Sequence, residues 1–507
     1  MDFRRDVTYG TGGVSGFGRE PWDIRMGGAS YMRFSKMLGG AFGLASVLLS
    51  TTAVNAMSLR EAVQEALVSN PQVLQAIENR EAIEFELRQA KGLFLPTIDL
   101  DASIGTRRLD SPSRRRVGEE GDTLYPSDVG VTLNQTLFDG GGRRAEVDRQ
   151  ASRVDGASFR VLERSEGVAL KVVQEYLEVL LQAEIVAETR NNLGFHQQIV
   201  NDIGQSVSGG AMTSADAMQA RERLLAARAR HAEASEDLEA AKIRFMTLVG
   251  KPIGKPQYPG SVARALPASL QAAIDIARAR NPRLAAAGAD VDTADALVRS
   301  ARSDYLPTVA LQGRARYGDD TDGSEGRSAD LEAKVVARWN LYRGGQTVAK
   351  EQEHIRRASE QRQALHQAHR ETEESIRIAW DRRAKRAELA ATLKQQASAN
   401  AQLVSSYREQ LNVGQRSLLD VLDAQNTRYN AAVMAKTSQY AALFEEYRIL
   451  AATGGLARTM GAATAEQGQA YAREEFKVIQ QADPQYKRTP SRQVKDLPLD
   501  LLAPVRN

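Results

Sequence analysis

The chain has 507 residues, and 67 Lys+Arg against 64 Asp+Glu leave a formal charge of +3, so no global basic field favours nucleic acid. It contains no cysteine, which excludes disulfides, thiolate metal sites, a cysteine nucleophile and a lipid-modified N-terminal cysteine. The length alone would suggest about three ordinary domains.

Residues 1–31 are Gly-rich and patternless, and they precede what reads as a complete secretory leader. They are read as an extension produced by a misplaced start codon. In 32–56, basic Arg33 and Lys36, an apolar run from Met37 to Leu49 and the small-residue end Val54-Asn55-Ala56 follow the order of a signal peptide, with cleavage expected near Ala56 and export from the cytoplasm. No later apolar run reaches about 18 residues, so no transmembrane helix is expected.

From residue 57 the chain is written twice. Ser58-Leu59, Asn70-Pro71 and Leu95-Pro96-Thr97 return as Ser269-Leu270, Asn281-Pro282 and Leu306-Pro307-Thr308, 211 positions on (281 − 70). Leu137-Phe138-Asp139-Gly140-Gly141 returns as Leu341-Tyr342-Arg343-Gly344-Gly345, and Gly210 with Asp216 returns as Gly414 with Asp420, now 204 apart (414 − 210). A period this long is a duplicated half-domain, not a solenoid. The copies are placed at 57–260 and 261–455, followed by a Gln-, Arg- and Pro-rich tail at 456–507 that is expected to be mostly disordered.

Each copy opens with two helices joined at Asn-Pro, at 58–69 and 72–94, then at 269–280 and 283–303. After Leu-Pro-Thr the periodicity changes to two. Ile98, Leu100, Ala102 and Ile104 alternate with Thr97, Asp99, Asp101 and Ser103, which predicts strands at about 97–107 and 127–139, then 308–317 and 330–342. Asp99, Asp101, Arg314, Arg316, Glu332, Lys334 and Arg338 occupy the opposite faces, and Phe138, Tyr317, Trp339 and Tyr342 lie near strand ends. A soluble half-buried sheet also alternates; the charged inner face and terminal aromatics favour a membrane barrel with a wet lumen. Proline-free stretches at 143–208 and 346–412 then predict rods on the order of 100 Å long, with returning helices at 214–248 and 417–453 after Gly209-Gly210 and Gly414. Val172, Tyr176, Val179, Ala183 and Val186, and Tyr429, Val433, Lys436, Tyr440, Leu443, Tyr447 and Leu450, keep coiled-coil spacing. Two hairpins cannot close a barrel, and an open edge in lipid costs several kcal/mol per unsatisfied group, so several copies must close the ring.

These marks, above all Val413-Gly414-Gln415-Arg416-Ser417-Leu418-Leu419-Asp420-Val421-Leu422-Asp423-Ala424-Gln425, resemble the TolC family of outer-membrane export ducts over about 57–455. The resemblance implies a mainly α fold with a membrane β-barrel: a homotrimer with four strands per chain in a 12-stranded barrel and long coiled-coil helices forming a periplasmic α-barrel. It further implies a periplasmic adaptor and an inner membrane ABC transporter or proton-driven pump as partners. Catalysis and cofactors are not expected. Type I protein secretion is favoured by the sequence Tyr440…Phe444…Tyr447-Arg448-Ile449-Leu450-Ala451-Ala452-Thr453-Gly454, with small-molecule efflux as the alternative. A structural or adhesive coiled-coil trimer and a soluble coiled-coil adaptor stand below both.

Asp420 and Asp423, at i and i+3, share a helix face, and threefold symmetry would gather six carboxylates at the periplasmic entrance. Simple N-terminal aspartates on the helix dipole are the rival reading, worth about 0.3 to 1 kcal/mol each. Asp216 matches Asp420, but Gln219 stands opposite Asp423. The resemblance implies a cation-selecting ring at Asp420 and Asp423, a gate latch between Arg416 and Asp216, and adaptor docking at the tips near Gly210 and Gly414. A family tyrosine in the latch corresponds to Leu411, which cannot hydrogen-bond. His366, His369 and Glu373 share a rod face but read as a solvated stripe rather than a metal site. Arg114-Arg115-Arg116 reads as a solvated loop or a contact to anionic outer membrane lipid, and Asp319-Asp320-Thr321-Asp322-Gly323 lacks the full spacing of a calcium loop.

Overall fold

A computed structural model describes residues 57–491 apart from 120, 322, 324, 464, 483 and 484. The extension and signal peptide read at 1–56, Asp322 and the end of the tail lie outside the described residues.

Each repeat opens on a pair of short helices, α1 (Leu59–Ser69) with α2 (Pro71–Gly92), and α6 (Leu270–Arg280) with α7 (Pro282–Ser303). Ser58 begins the first through a capping box with Glu61. One asparagine does three jobs at each joint. Asn70 ends α1, its Oδ1 accepts from the Gln72 N–H at 2.9 Å, and its Nδ2 donates to Leu248 O at 2.9 Å. Asn281 repeats this, with its Nδ2 donating to Ala452 O at 2.8 Å and its Oδ1 accepting from Arg283 N–H. Proline at the first helical position follows naturally, because its missing N–H would be unpaired there in any case.

Strands β1 (Thr97–Ile104), β4 (Ser127–Phe138), β5 (Thr308–Asp319) and β6 (Arg327–Arg338) form one antiparallel sheet in the order β1-β4-β5-β6. The register puts Leu100 beside Val131, Val131 beside Ala315 and Ala315 beside Leu331, so the alternating apolar residues of both repeats share one face. That face is bare: Ile104 is 88% and Leu331 86% exposed. On the other face Arg316 Nε donates to Asp128 Oδ2 at 3.0 Å. The outer edges of β1 and β6 carry no partner strand among the described residues.

The expected strand limits shift at the ends of β1, β5 and β6, and β6 begins at Arg327 rather than at 330. β1 stops at Ile104, and Arg107–Arg108 forms a separate short strand, β2, paired with β3 (Thr123–Leu124) around a small helix α3 (Pro112–Val117). β5 runs on to Asp319, while β6 ends at Arg338, because Trp339 turns away and donates its Nε1–H to Tyr305 O at 3.0 Å. The loop motifs are also occupied within the chain. Arg114 is buried, donating to Glu119 O and Gly323 O, and Asp320 accepts from Tyr125 and Gly326 N–H groups.

The rods α4 (Gly142–Ser208) and α8 (Gln346–Asn412) have 67 residues each and return through α5 (Ser214–Val249) and α9 (Leu418–Ala452). At 1.5 Å per residue a rod is on the order of 100 Å long. The main core lies midway, where α1, α4, α5 and α9 converge on Tyr176, Phe245 and Tyr447. Tyr176, wholly buried, donates its hydroxyl to backbone carbonyls and accepts from Gln257 N–H at 2.9 Å. The expected apolar stripe is interrupted at Ala183, which is exposed, and resumes through half-buried Val186 to buried Ile199 and Ile203; a straight helix drifts about 20° per heptad from a 3.5-residue repeat.

The disorder expected of the tail does not hold over its described part. Helices α10 (Leu456–Thr459) and α11 (Ala472–Glu475) and the chain between them pack along α4 and α2. Leu456, Ala472 and Val478 are buried there, so this polar-looking segment has enough apolar and paired surface to be ordered.

Candidate functional site at the helical tips

The two rods end in the same backbone device. At the first tip Ala211 N–H donates to Ser206 O at 2.9 Å and Gly210 N–H to Val207 O at 3.1 Å; at the second, Gln415 N–H donates to Gln410 O at 2.8 Å and Gly414 N–H to Leu411 O at 3.0 Å. This is a Schellman closure, and it needs a left-handed residue, which Gly210 and Gly414 supply with φ of 76° each. Two residues later the return helix starts on a capping box, Thr213 with Asp216 and Ser417 with Asp420. Asp216 Oδ2 accepts from the Thr213 N–H at 3.0 Å, which holds its carboxyl below the usual range. Asp420 Oδ2 accepts from Ser417 Oγ at 2.9 Å in the matching place.

Side chains break this equivalence. Leu411, Leu418, Val421 and Leu422 of the second tip close a buried cluster with Ile199 and Ile203 of α4. Leu422 is 1% exposed, whereas Met218, its counterpart 204 residues earlier, is 66% exposed. Ala220 of the first return helix belongs to the same cluster and Met212 and Ala217 pack against it, so both tips meet there, the second with its leucines inside and the first with Met218 left in solvent. Leu411, which removes a hydroxyl from the expected latch, is part of that cluster.

Of the expected site residues, Asp420 and Asp423 do stand one turn apart near the start of α9; Asp423 is exposed and has no side-chain partner among the described residues. Arg416 and Asp216 are not brought together within one chain. Arg416 Nε donates to Gln410 Oε1 at 2.9 Å, its guanidinium lies 4.4 Å from the centre of the Tyr407 ring, and its nearest carboxylate is Asp420 at 4.0 Å. Sequence reasoning passed over Tyr407, whose position three to four residues before Leu411 places it on the same helix face.

Three further links tie the first hairpin to the second. Arg408 bridges to Asp202 at 3.1 Å and lies over the Phe195 ring, Gln425 donates to Asn192 at 2.8 Å in a buried pair, and Lys436 meets Glu184 at 2.7 Å. Between them lies an open groove of about 720 Å³ lined by Arg190, Phe195, Arg408, Glu409, Gln425 and Arg428 among others. On α8 Glu373 is paired with Arg377 and Arg278 at 2.7 and 3.1 Å, and it lines one open pocket with His366 and His369.

Residues 62–251 and 273–455 match the profile of the family described as outer membrane efflux protein. The chain is 29% identical over 426 residues to the outer membrane efflux protein BepC of Brucella suis, covering 81% of this chain and 89% of that one. It is 26% identical over 422 residues to the alkaline protease secretion protein AprF of Pseudomonas aeruginosa, covering 81% and 86%. Among solved structures, the Campylobacter jejuni CmeC outer membrane channel superposes with a TM-score of 0.71 at 18% identity, covering 83% of this chain and 89% of that one. The membrane channel CusC gives 0.70 at 16% identity, covering 78% and 92%.

Proposed function

The chain belongs to the outer membrane efflux protein family, the TolC-like channels of the outer membrane, and from that premise we propose a homotrimeric duct that conducts cargo from the periplasmic end of its helices to the outside. The observation that carries this reading is the four-stranded sheet, apolar on one whole face, charged on the other and open at β1 and β6. An open edge cannot remain in lipid, so edge must meet edge, and three copies give twelve strands. The duct catalyses nothing and receives its cargo from an inner membrane pump through a periplasmic adaptor, which docks at the tips around Gly210 and Gly414.

We favour type I secretion of a polypeptide with an ABC transporter; the relatives AprF and PrtF of Dickeya chrysanthemi, both named as protease secretion proteins, support that branch. BepC supports the second reading, small-molecule efflux with a proton-driven pump. Expression in a strain lacking its own duct separates them: restored export of a protease to the medium supports the first, and restored tolerance to toxic small molecules without export supports the second. Single-channel recording in a planar bilayer tests the duct itself, and absence of any conductance from a membrane-extracted trimer would overturn it.

At the entrance, Asp420 and Asp423 from three chains form a ring of six carboxylates that selects cations. Arg416 biases the closed state, in this chain through Tyr407 and Gln410 and, in the assembled ring, toward a carboxylate at the Asp216 position. Its exposed pairing is worth under about 1 kcal/mol per copy, but three copies act on one opening.

A further inference from the structure

The tail makes the same kind of contact twice. In the first repeat, Gln467 Nε2 donates to Glu81 Oε1 at 3.2 Å, the Tyr471 hydroxyl donates to Glu84, and Arg80 lies 5.8 Å from the Tyr471 ring centre. In the second repeat, the Gln481 N–H donates to Asp292, the Tyr486 hydroxyl donates to Asp295 at 3.3 Å, and Arg302 and Arg362 lie 5.1 and 5.8 Å from the Tyr486 ring centre. Glu81 and Glu84 become Asp292 and Asp295 on adding the 211-residue offset of the repeat. The acceptors are thus equivalent positions of α2 and α7, and each pair receives a tyrosine hydroxyl from a single segment, joined by the Gln467 side chain in the first and by the Gln481 backbone N–H in the second.

Between the two contacts, Arg473 is buried, with Nε on Asp155 of α4 at 2.9 Å and Nη1 on Asp292 of α7 at 2.7 Å. Asp155 also accepts the N–H groups of Tyr471, Ala472 and Arg473, so it caps α11 while holding the guanidinium. Removing one partner from such a buried, fully bonded set leaves a charge stranded. The second repeat has also made room: Gly288 lies so close to Gln481 that a β-carbon there would overlap its side chain, whereas the first repeat carries Ile77 at the matching position.

We propose that the two repeats carry one duplicated peptide-docking groove, an acidic pair on α2 or α7 flanked by arginine. Residues 467–482 and 485–489 occupy both grooves in succession as a strap across the line where α4 packs on α7. The strap meets α4 between Arg144 and Phe159 and α8 between Gln352 and Arg362, in the first third of each rod. It holds the barrel-proximal ends of the rods in register and leaves the tips free to move.

Limited trypsin digestion of the intact trimer tests this, reading the cleavage rates after Arg473 and Lys477 for the first groove and after Lys487 for the second. Tyr471→Ala is expected to speed cleavage at the first pair of sites by about tenfold, and Tyr486→Ala or Gly288→Leu to do so at Lys487, with Tyr→Phe variants intermediate. Gly288 is buried beneath the strap, so Gly288→Leu also crowds α7, and its trimer content on a gel distinguishes strap release from misfolding. Wild-type cleavage at these sites as fast as in the variants, or release of both ends by Gly288→Leu with no preference for Lys487, would overturn the two-groove strap.

Discussion

The two helical tips have one backbone and two fates. Both close on a left-handed glycine and reopen on a Ser/Thr–Asp capping box, yet Leu422 sits in a packed cluster where Met218 stands in solvent. Duplication supplied a turn that works anywhere, because its hydrogen bonds are local. What surrounds the turn then put the leucines of the second tip inside the shared cluster and left Met218 of the first outside it.

The largest contrast we expect is between Leu422→Ala and Met218→Ala. The first opens a cavity among Ile199, Leu411 and Leu418 and should cost about 2 to 5 kcal/mol; the second removes a solvent-facing side chain and should cost under about 0.5 kcal/mol, both read by denaturant unfolding. Equal costs would mean the tips are not packed differently. Next comes ion selectivity. Asp420→Ala with Asp423→Ala should lower the cation preference of the open channel, while Asp216→Ala with Gln219→Ala should leave it near the wild-type value, measured as reversal potential across a salt gradient.

Arg416→Ser should raise resting conductance, and its counterpart Met212→Ser should not. The caps should behave alike: Thr213→Ala and Ser417→Ala each cost about 1 kcal/mol, so a difference in gating between them belongs to the surroundings. A pH response of one buried group should also separate the two repeats. Burial pushes Glu166, which caps α10 through the Leu456 and Ala457 N–H groups, up to about 7, and the equivalent residue of the second repeat is Arg370. Between its ordinary 4.5 and about 7 the folded chain then holds a proton that the unfolded chain has released, so this group makes stability fall as pH rises through that window. Glu166→Gln should flatten that part of the melting-temperature profile, and Arg370→Gln should not.

Much of the fold was legible because its signals are local. Asn70 and Asn281, Gly210 and Gly414, and the change from helical to alternating periodicity at Thr97 and Thr308 each mark a boundary within a few residues of themselves. The candidate gate was only half legible. Asp420 and Asp423 share a face by helix geometry, but Arg416 pairs with Gln410 and Tyr407 rather than Asp216 within the chain, and no spacing rule selects among partners brought near by a turn. The strand ends at 339–342 and the ordered tail were misread because one hydrogen bond from Trp339 and one buried arginine outweigh local composition.

By itself, then, the amino-acid sequence determined the duplication, the element order, the apolar face of the sheet and the family, all of which follow from periodicity and short-range backbone preference. Tertiary structure alone decided which side chains of the tips are buried, which acid each arginine meets and where the tail runs. The course of the tail depends on residues far apart in the chain, such as Arg356 with Thr489, 133 positions apart, and Arg473 with Asp155, 318 apart, whose meeting is set by packing and desolvation rather than by anything within a turn of either one.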